Sequence, residues 1–201
     1  RVLDSTANGN HGTIYGATET DGPLGRCLSF DGVDDRVIIP HDPSLSTPTA
    51  LTVDMLTQMT TPPPGESCAV LSKGATFGDT EWMIYLGGSG TSVQFYSYNS
   101  GVSRGAVNYA QHAIYDGVWR YYAATTDVME THTYLNGGSS RSGGVTNAPQ
   151  EIGGAGSDIY IGYGWGNYAQ CSVSFTAISS IVRSPAWIAA TNAVLHDTFV
   201  T

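Results

Sequence analysis

Apolar and polar residues alternate along the chain in short stretches that glycine, proline, asparagine and aspartate separate. Each stretch is rich in β-branched or aromatic residues, a pattern that predicts strands joined by turns. The predicted strands read CLSF, RVIIP, ALTVDMLTQM, AVLSK, EWMIYLG, SVQFYSY, VWRYYAATT, THTYLNG, DIYIGYG and VSFTAISSIV. Their spacing of roughly ten to fifteen residues favours an all-β fold, an antiparallel β-sandwich or jelly roll. We expect a single domain over residues 1–201.

One short helix is predicted near the C-terminal end, in the segment SPAWIAATNAVL. Ser184 is placed to cap its N-terminus, and Pro185 at the first helical position has a backbone angle suited to a helix start. Two stretches of low complexity, TTPPPGES and LNGGSSRSGG, are predicted to be exposed loops.

Composition and charge exclude several classes of function. Only 12% of the residues are charged, the formal net charge is −9 and the pI is near 4.7, whereas a nucleic-acid partner requires clustered lysine and arginine. No apolar run approaches the ~18 residues of a membrane-spanning helix, so we expect no membrane insertion. The chain opens without an initiator methionine or a signal peptide, which favours a mature fragment or a module of a larger protein.

The three cysteines, Cys27, Cys68 and Cys171, show no metal-binding spacing. We expect three buried thiols, because a free cysteine packs as a small hydrophobic residue. One disulfide beside a free thiol is the alternative.

Several motifs occur in the order found in one known family. They are DSTANGNHGTIYGAT, LGRCLSFDGVDDRVIIP, LTVDMLTQM, VLSKG, DGVWRYYAATTD, TYLNG, IYIGYG and ISSIVRSPAWIAA. In these motifs the chain resembles, over nearly its whole length, the laminin-G-like domains of the concanavalin A-like lectin/glucanase superfamily. The resemblance implies two curved antiparallel sheets packed face to face. It also implies a module that binds carbohydrate or protein surfaces in larger extracellular, bacterial or phage proteins, although a shared fold does not determine function.

The sequence argues against an enzyme. Glycoside hydrolysis needs two carboxylates about 5–10 Å apart, and the glucanases of the superfamily place them as Glu-x-Asp-x-x-Glu on one strand. The single Glu-x-Asp here is Glu19-Thr20-Asp21, in a predicted Gly-Pro turn, and Leu24 stands where the third acid would be. The sequence also lacks a nucleophile elbow, a phosphate-binding loop and histidines at zinc spacing. We therefore expect a non-catalytic domain.

The stretch FDGVDDRVIIP raises the question of what its aspartates do. Gly32 permits a positive φ and aspartate is common in turns, so the stretch is predicted to form a tight hairpin with Phe30 and Val37 buried on either side. Asp34 and Asp35 would lie at the turn and accept hydrogen bonds from nearby backbone amides.

Calcium binding is the alternative role for these aspartates, because hard cations prefer clustered carboxylate, amide and backbone oxygens. The candidate ligands are Asp4, Asn8, Asn10, Asp34 and Asp35. The resemblance implies structural calcium near the sheet edges, usually beside an Asp-Glu pair in the last strand. Ser174 and Phe175 stand at the positions of that pair, a departure that removes two potential ligands.

Aromatic residues are the candidate ligand-binding groups. The predicted binding residues are Tyr85, Gln94, Tyr96, Tyr98, Tyr163, Trp165 and Tyr168. In SVQFYSY, strand parity places Tyr96 and Tyr98 opposite Phe95, so an inward Phe95 would leave an exposed aromatic platform. The second group lies among glycines in GYGWGNY, a predicted loop. Exposed tyrosine and tryptophan suit flat ligands and protein interfaces alike, and the alternative is that these rings cap the core.

These observations together predict a non-catalytic extracellular recognition module that binds carbohydrate as lectins do. The alternative is a structural or adhesion domain, for example a virion decoration protein, whose aromatic loops contact other protein subunits. The predicted partners are accordingly glycans or surface proteins, and the predicted location is extracellular, on a cell surface or a virion surface. A concave, exposed platform would favour the first function, and burial of GYGWGNY against another chain would favour the second.

Overall fold

The fold is built from strands of very different lengths. The computed structural model describes residues 1–60, 68–76, 78–86, 92–99, 102–110, 115–145, 148, 150–154 and 156–196. In chain order the elements are β1 (Thr13–Tyr15), β2 (Thr18–Gly22), β3 (Gly25–Asp31), β4 (Arg36–Ile39), a 3₁₀ turn (Pro43–Leu45), β5 (Ala50–Met59), β6 (Cys68–Lys73), β7 (Trp82–Leu86), β8 (Ser92–Asn99), β9 (Val102–Ala110), β10 (Arg120–Asp127), β11 (Glu130–Leu135), β12 (Gly138–Gly144), β13 (Ile159–Ile161), β14 (Tyr163–Gly164), β15 (Asn167–Tyr168), β16 (Gln170–Ser179) and α1 (Pro185–Leu195).

Two seven-stranded antiparallel sheets form a sandwich. The first sheet has the order β1-β4-β13-β6-β7-β8-β9, the second sheet has the order β12-β11-β10-β5-β16-β3-β2, and β14 with β15 forms a separate hairpin. The predicted all-β sandwich is thus confirmed. The predicted helix is confirmed as well, because α1 begins at Pro185 and the Oγ atom of Ser184 accepts a hydrogen bond from the backbone N–H of Trp187 at 3.2 Å.

The core lies between the inner faces of the two sheets. Its large buried members include Phe30, Val37, Trp82, Ile84 and Phe95. All three cysteines are free and buried, as predicted. Burial raises the pKa of the Cys68 thiol to about 12, so this thiol stays protonated and unreactive at neutral pH.

The chain crosses from one sheet to the other in FDGVDDRVIIP, and the predicted tight hairpin is wrong. β3 belongs to the second sheet and β4 to the first, so the two strands are not hydrogen-bonded to each other. Phe30 and Val37 are nevertheless both buried, because each points into the core from its own sheet. Local alternation predicted the two strands correctly, but the choice of sheet depends on pairing with distant strands.

Two predicted loops or turns form edge strands instead. Gly138–Gly144, within LNGGSSRSGG, is β12 and pairs with β11, and Glu19-Thr20-Asp21 lies in β2, not in a turn. β12 and β2 are the two edge strands of the second sheet. An edge strand pairs on one side only and does not need alternating apolar residues. The other predicted loop, TTPPPGES, lies outside the described residues except for Thr60.

The chain's one lysine is buried at the end of β6. The Lys73 ammonium lies 3.0 Å from Oε2 of Glu81 and 3.1 Å from the carbonyl oxygen of Leu45. The other carboxylate oxygen of Glu81 accepts a hydrogen bond from the backbone N–H of Ser157 at 2.9 Å. Both charges are therefore paired and hydrogen-bonded, which a buried ion pair requires. The pair holds the β6–β7 end of the first sheet against two loops.

Candidate ligand-binding face

The outer face of the first sheet carries the predicted platform residues. Ile84 is opposite Phe95 and Met83 is opposite Tyr96 in the β7–β8 ladder. Ile84 and Phe95 are buried in the core, so their neighbours along each strand point outward. The predicted strand parity is therefore confirmed for Tyr85 and Tyr96, which belong to a cluster on the outer face.

The hairpin Tyr163–Tyr168 lies against this outer face. Its two turn residues, Trp165 and Gly166, both have positive φ, at 56° and 79°, as a type I′ turn requires. A Cβ atom built on Gly164 would lie 2.5 Å from the Cβ of Ala69, so the backbone of the hairpin packs directly on β6. The Ser72 hydroxyl lies 3.0 Å from the carbonyl oxygen of Tyr163. These contacts fix where Trp165 lies.

Trp165 brings the two predicted groups of aromatic residues together. Its ring centroid lies 5.2 Å from that of Tyr85, 5.7 Å from that of Tyr96 and 6.4 Å from that of Tyr98. Tyr85 and Tyr96 meet edge to face at 5.5 Å. These separations are typical of attractive ring pairs. We call Tyr85, Tyr96, Tyr98 and Trp165 the tryptophan cluster.

Members of the tryptophan cluster differ in exposure. Tyr85, Tyr96 and Trp165 are half-buried, whereas only 2% of Tyr98 is exposed. The prediction that Tyr98 belongs to an exposed platform is therefore wrong, because Tyr98 packs in a cluster with Ala69, Met83 and the neighbouring rings. Burial, followed by the nearby Tyr96 and Tyr85, raises the pKa of the Tyr98 hydroxyl well above its usual range. Tyr98 supports the cluster from beneath. The other predicted binding residue on β8, Gln94, is half-buried and pairs in register with Tyr85.

A row of tyrosines continues across the same face toward β1. Tyr163 lies 4.7 Å from Tyr168 and 5.6 Å from Tyr160 between ring centroids. The Arg36 guanidinium carbon lies 4.8 Å from the ring centroid of Tyr15 and 6.0 Å from that of Tyr168. We call these five residues the arginine row. The tryptophan cluster and the arginine row both include residues of the hairpin Tyr163–Tyr168, and together we call them the aromatic strip. The strip offers half-exposed rings, phenol hydroxyls and the Arg36 cation.

Sequence reasoning missed Tyr15, Arg36 and Tyr160. A signal for Tyr160 was present, because Ile159 and Ile161 on either side of it are buried and parity sends Tyr160 outward. Tyr15 and Arg36 are paired in the β1–β4 ladder, although between them the chain leaves the first sheet, forms β2 and β3 in the second sheet and returns. Nothing local in the sequence indicates that pairing.

The predicted calcium ligands separate into two groups, so the single shared site that they suggested is not formed. Asp4 accepts hydrogen bonds from the backbone N–H groups of Thr6 and Asn10, at 2.8 and 2.9 Å, which lower its pKa. Asn8, within the same turn, donates its backbone N–H to the Thr6 hydroxyl. This turn precedes β1, whereas a side chain added at Gly16, which follows β1, would collide with Asp35. Asp34 and Asp35 are therefore at the opposite end of β1.

At that end, Asp31 completes an acidic group with Asp34 and Asp35. One carboxylate oxygen from each of the three lies within 4.8 Å of the others. Asp35 is buried and accepts a hydrogen bond from the backbone N–H of Asp31 at 2.9 Å, so it bonds to a nearby backbone amide as the sequence suggested. Burial, followed by the charges of Asp31 and Asp34, raises the pKa of Asp35.

The chain belongs to the concanavalin A-like lectin/glucanase superfamily, whose laminin-G sequence model matches residues 31–189. None of the curated proteins is detectably similar in sequence. Among the described residues, no helix is long and apolar enough to cross a membrane.

Several solved structures share this fold, and two of them are binding domains of toxins. Domain 4 of an extracellular GH43 arabinanase from Geobacillus stearothermophilus, in complex with arabinotriose, superimposes with a TM-score of 0.69 at 17% identity, covering 94% of this chain and 91% of that one. The ligand-binding domain of botulinum neurotoxin serotype D with N-acetylneuraminic acid gives 0.76 at 10% identity. The binding domain of paraclostridial mosquitocidal protein 1 gives 0.75 at 12%. The chain covers 48% and 49% of these two toxin domains, about half their length.

Proposed function

We propose that the domain is a non-catalytic carbohydrate-binding module and that the aromatic strip on the outer face of the first sheet holds the sugar. The observation that carries this proposal is the position of Trp165. A bulky residue with a positive φ is uncommon and costs backbone energy, which the rest of the structure must offset. In return for this unfavourable backbone conformation, the hairpin holds a half-exposed indole beside Tyr85 and Tyr96.

The chemistry of the strip suits a sugar. Half-exposed ring faces can stack on the apolar face of a pyranose or furanose, while the tyrosine hydroxyls and the Arg36 guanidinium can hydrogen-bond its hydroxyl groups. The formal net charge of −9 disfavours polyanionic ligands away from Arg36. The arabinotriose and N-acetylneuraminic acid named for two structures of the same fold support a glycan ligand. An extracellular location follows from this function and from the low charged fraction.

The test is a glycan array with the isolated domain, followed by calorimetric titration of the best ligand, with arabinotriose and N-acetylneuraminic acid as first probes. Trp165→Ala should weaken binding by about 30-fold, since an anchor aromatic contributes roughly 2 kcal/mol. Trp187→Ala is the matched control, because Trp187 is also half-buried but packs on the outer face of the second sheet. It should lower the melting temperature and leave affinity unchanged.

Equal loss of affinity in both variants would place the ligand elsewhere. A silent array together with a protein partner that protects Trp165 would favour the adhesion function instead.

We also propose a structural calcium ion at Asp31, Asp34 and Asp35. The residues fit a hard cation, because one oxygen from each of three carboxylates lies within 4.8 Å of the others. Burial, followed by the charges of Asp31 and Asp34, raises the pKa of Asp35, and a bound cation would offset both effects. Bound there, the ion would supply charge neutralisation where the chain crosses between the sheets. No part in sugar binding is assigned to it.

A further inference from the structure

The second sheet contains a gap between two of its inner strands. β16 pairs with β3 only from Gln170 to Val173, and a bulge follows between Val173 and Phe175. From Phe175 to Ser179, β16 remains paired with β5 on one side. On its other side, the described residues supply no ladder partner for 174–179, although β3 stays paired with β2 along its far edge from Gly25 to Ser29. A row of backbone groups is thus left unpaired inside a sheet.

A cavity of ≈ 590 Å³ opens at this gap. Its walls come from both sheets and include Ile14, Leu28, Ile39 and Ile178. These four side chains pack against the core, yet all remain partly exposed. Protein interiors normally leave few voids larger than a water molecule. Apolar surface that should be covered is therefore open along the unpaired edge of β16.

The two features together define the chemistry of an occupant. The unpaired edge of β16 offers pairing to a second backbone with N–H and C=O groups at strand spacing, as the free edge of a sheet does. The cavity requires apolar side chains on one side of that backbone. A fatty acid or another apolar molecule would meet the second requirement only. An extended strand with apolar residues at alternate positions meets both.

We propose that an extended β-strand, from polypeptide outside residues 1–201 and tethered at Arg1, inserts between β16 and β3 and completes the sandwich core. Arg1, Val2 and Leu3 line the same cavity, so a strand joined there needs no long linker. About six residues, spanning about 20 Å at 3.3 Å each, would pair along 174–179.

The test fuses a designed strand, Thr-Val-Thr-Val-Thr-Val with a Gly-Ser linker, to Arg1. Hydrogen exchange of the backbone amides of 174–179 should slow by about tenfold or more, and the melting temperature should rise. The control fusion carries proline at each threonine, which keeps the valines but removes alternate N–H donors. The control should produce neither effect.

Each remaining outcome overturns the proposal. Equal stabilisation by the proline fusion, or by decanoate added to the unfused chain, would make the cavity a site for apolar ligands. Equal protection by the free peptide at micromolar concentration would show that the tether at Arg1 plays no part. Unchanged exchange with every fusion would show that the gap accepts no strand. Sugar affinity, measured on the same fusions, reports separately on the aromatic strip.

Discussion

The outer faces of the two sheets carry similar aromatic rings but differ in how far other elements cover them. On the second sheet, α1 covers Leu56, Tyr121 and Tyr134, and Ile188 is completely buried against them. On the first sheet, the short hairpin Tyr163–Tyr168 is the one described segment that crosses the face, and most rings there remain half-exposed. Stability alone would favour covering both faces, since burial of aromatic area is favourable. The uncovered face is therefore the one to examine for binding.

Each face also contains an unfavourable feature among its described residues. On the first face it is the positive φ of Trp165. On the second face it is Asp54, whose fully buried carboxylate oxygens have no hydrogen-bond partner among the described residues. Strain that positions a half-exposed ring points to a ligand. A carboxyl group sealed beneath a helix has no access to one, and its consequence is a dependence of stability on pH.

The largest expected effect separates the inside of the first sheet from its outer face. Phe95→Ala should lower the free energy of unfolding by roughly 3–5 kcal/mol, because it truncates a ring in the core. Tyr96→Ala, one residue away and half-buried on the outer face, should cost less than about 1 kcal/mol. Urea denaturation of the two variants measures the contrast. Comparable losses would mean that the outer rings are structural and would weaken the binding proposal.

Tyr98→Ala should lower the free energy of unfolding as a core substitution does, by more than Tyr96→Ala, and the same urea denaturation measures the difference.

Strand parity alone does not distinguish Tyr96 from Tyr98, since both side chains project from the outer side of β8. Parity predicted Tyr85 and Tyr96 correctly because their orientation depends only on alternation within a strand. The burial of Tyr98 and the position of Trp165 depend on how a hairpin far along the chain packs on β6. The sheet crossing after Asp31 and the polar edge strand β12 escaped prediction for the same reason, since pairing with distant strands decides them.

The second face should show the next largest effect, through Asp54. Burial raises the pKa of its carboxyl group from 3.8 to about 7, partly offset by the charge of Arg183. The unfolded chain therefore releases this proton at lower pH than the folded protein, so stability falls as pH rises from about 4 to 7. From pH 5 to pH 8 the loss attributable to Asp54 should be roughly 2–3 kcal/mol.

Asp54→Asn tests this origin, because the amide has the same shape and does not titrate. The variant should be more stable than the parent at pH 8, and the difference between them should shrink toward pH 4. Urea denaturation across this pH range measures it. A parent protein that gains stability between pH 5 and pH 8 relative to the variant would show that the carboxylate is well solvated or paired.

Calcium should have a smaller effect, at the crossing that joins the two faces. At about ten times its dissociation constant, an ion that binds only the folded state stabilises by about 1.4 kcal/mol. The melting temperature should fall in chelator and recover with added calcium. Asp34→Asn should abolish this response, whereas Asp4→Asn should preserve it, because Asp4 lies beyond the other end of β1. An identical melting curve in chelator and in calcium would contradict the calcium proposal. The three aspartates would then serve only as acceptors of local hydrogen bonds.

The smallest expected effect distinguishes two arginine–ring pairs, one on each face. Arg36 lies 4.8 Å from the ring centroid of Tyr15 on the first face, and Arg183 lies 4.6 Å from that of Trp187 on the second. A partly exposed pair of this kind contributes about 0.5–1 kcal/mol.

If the arginine row contacts the sugar, Arg36→Met should weaken binding by about two- to fivefold. Arg36→Lys should recover part of the loss, because lysine restores the charge but not the planar group that stacks on a ring. Arg183→Met, the matched change on the covered face, should leave affinity unchanged. Calorimetric titration with the ligand identified on the array resolves these differences. An unaltered affinity in Arg36→Met would confine the binding surface to the tryptophan cluster.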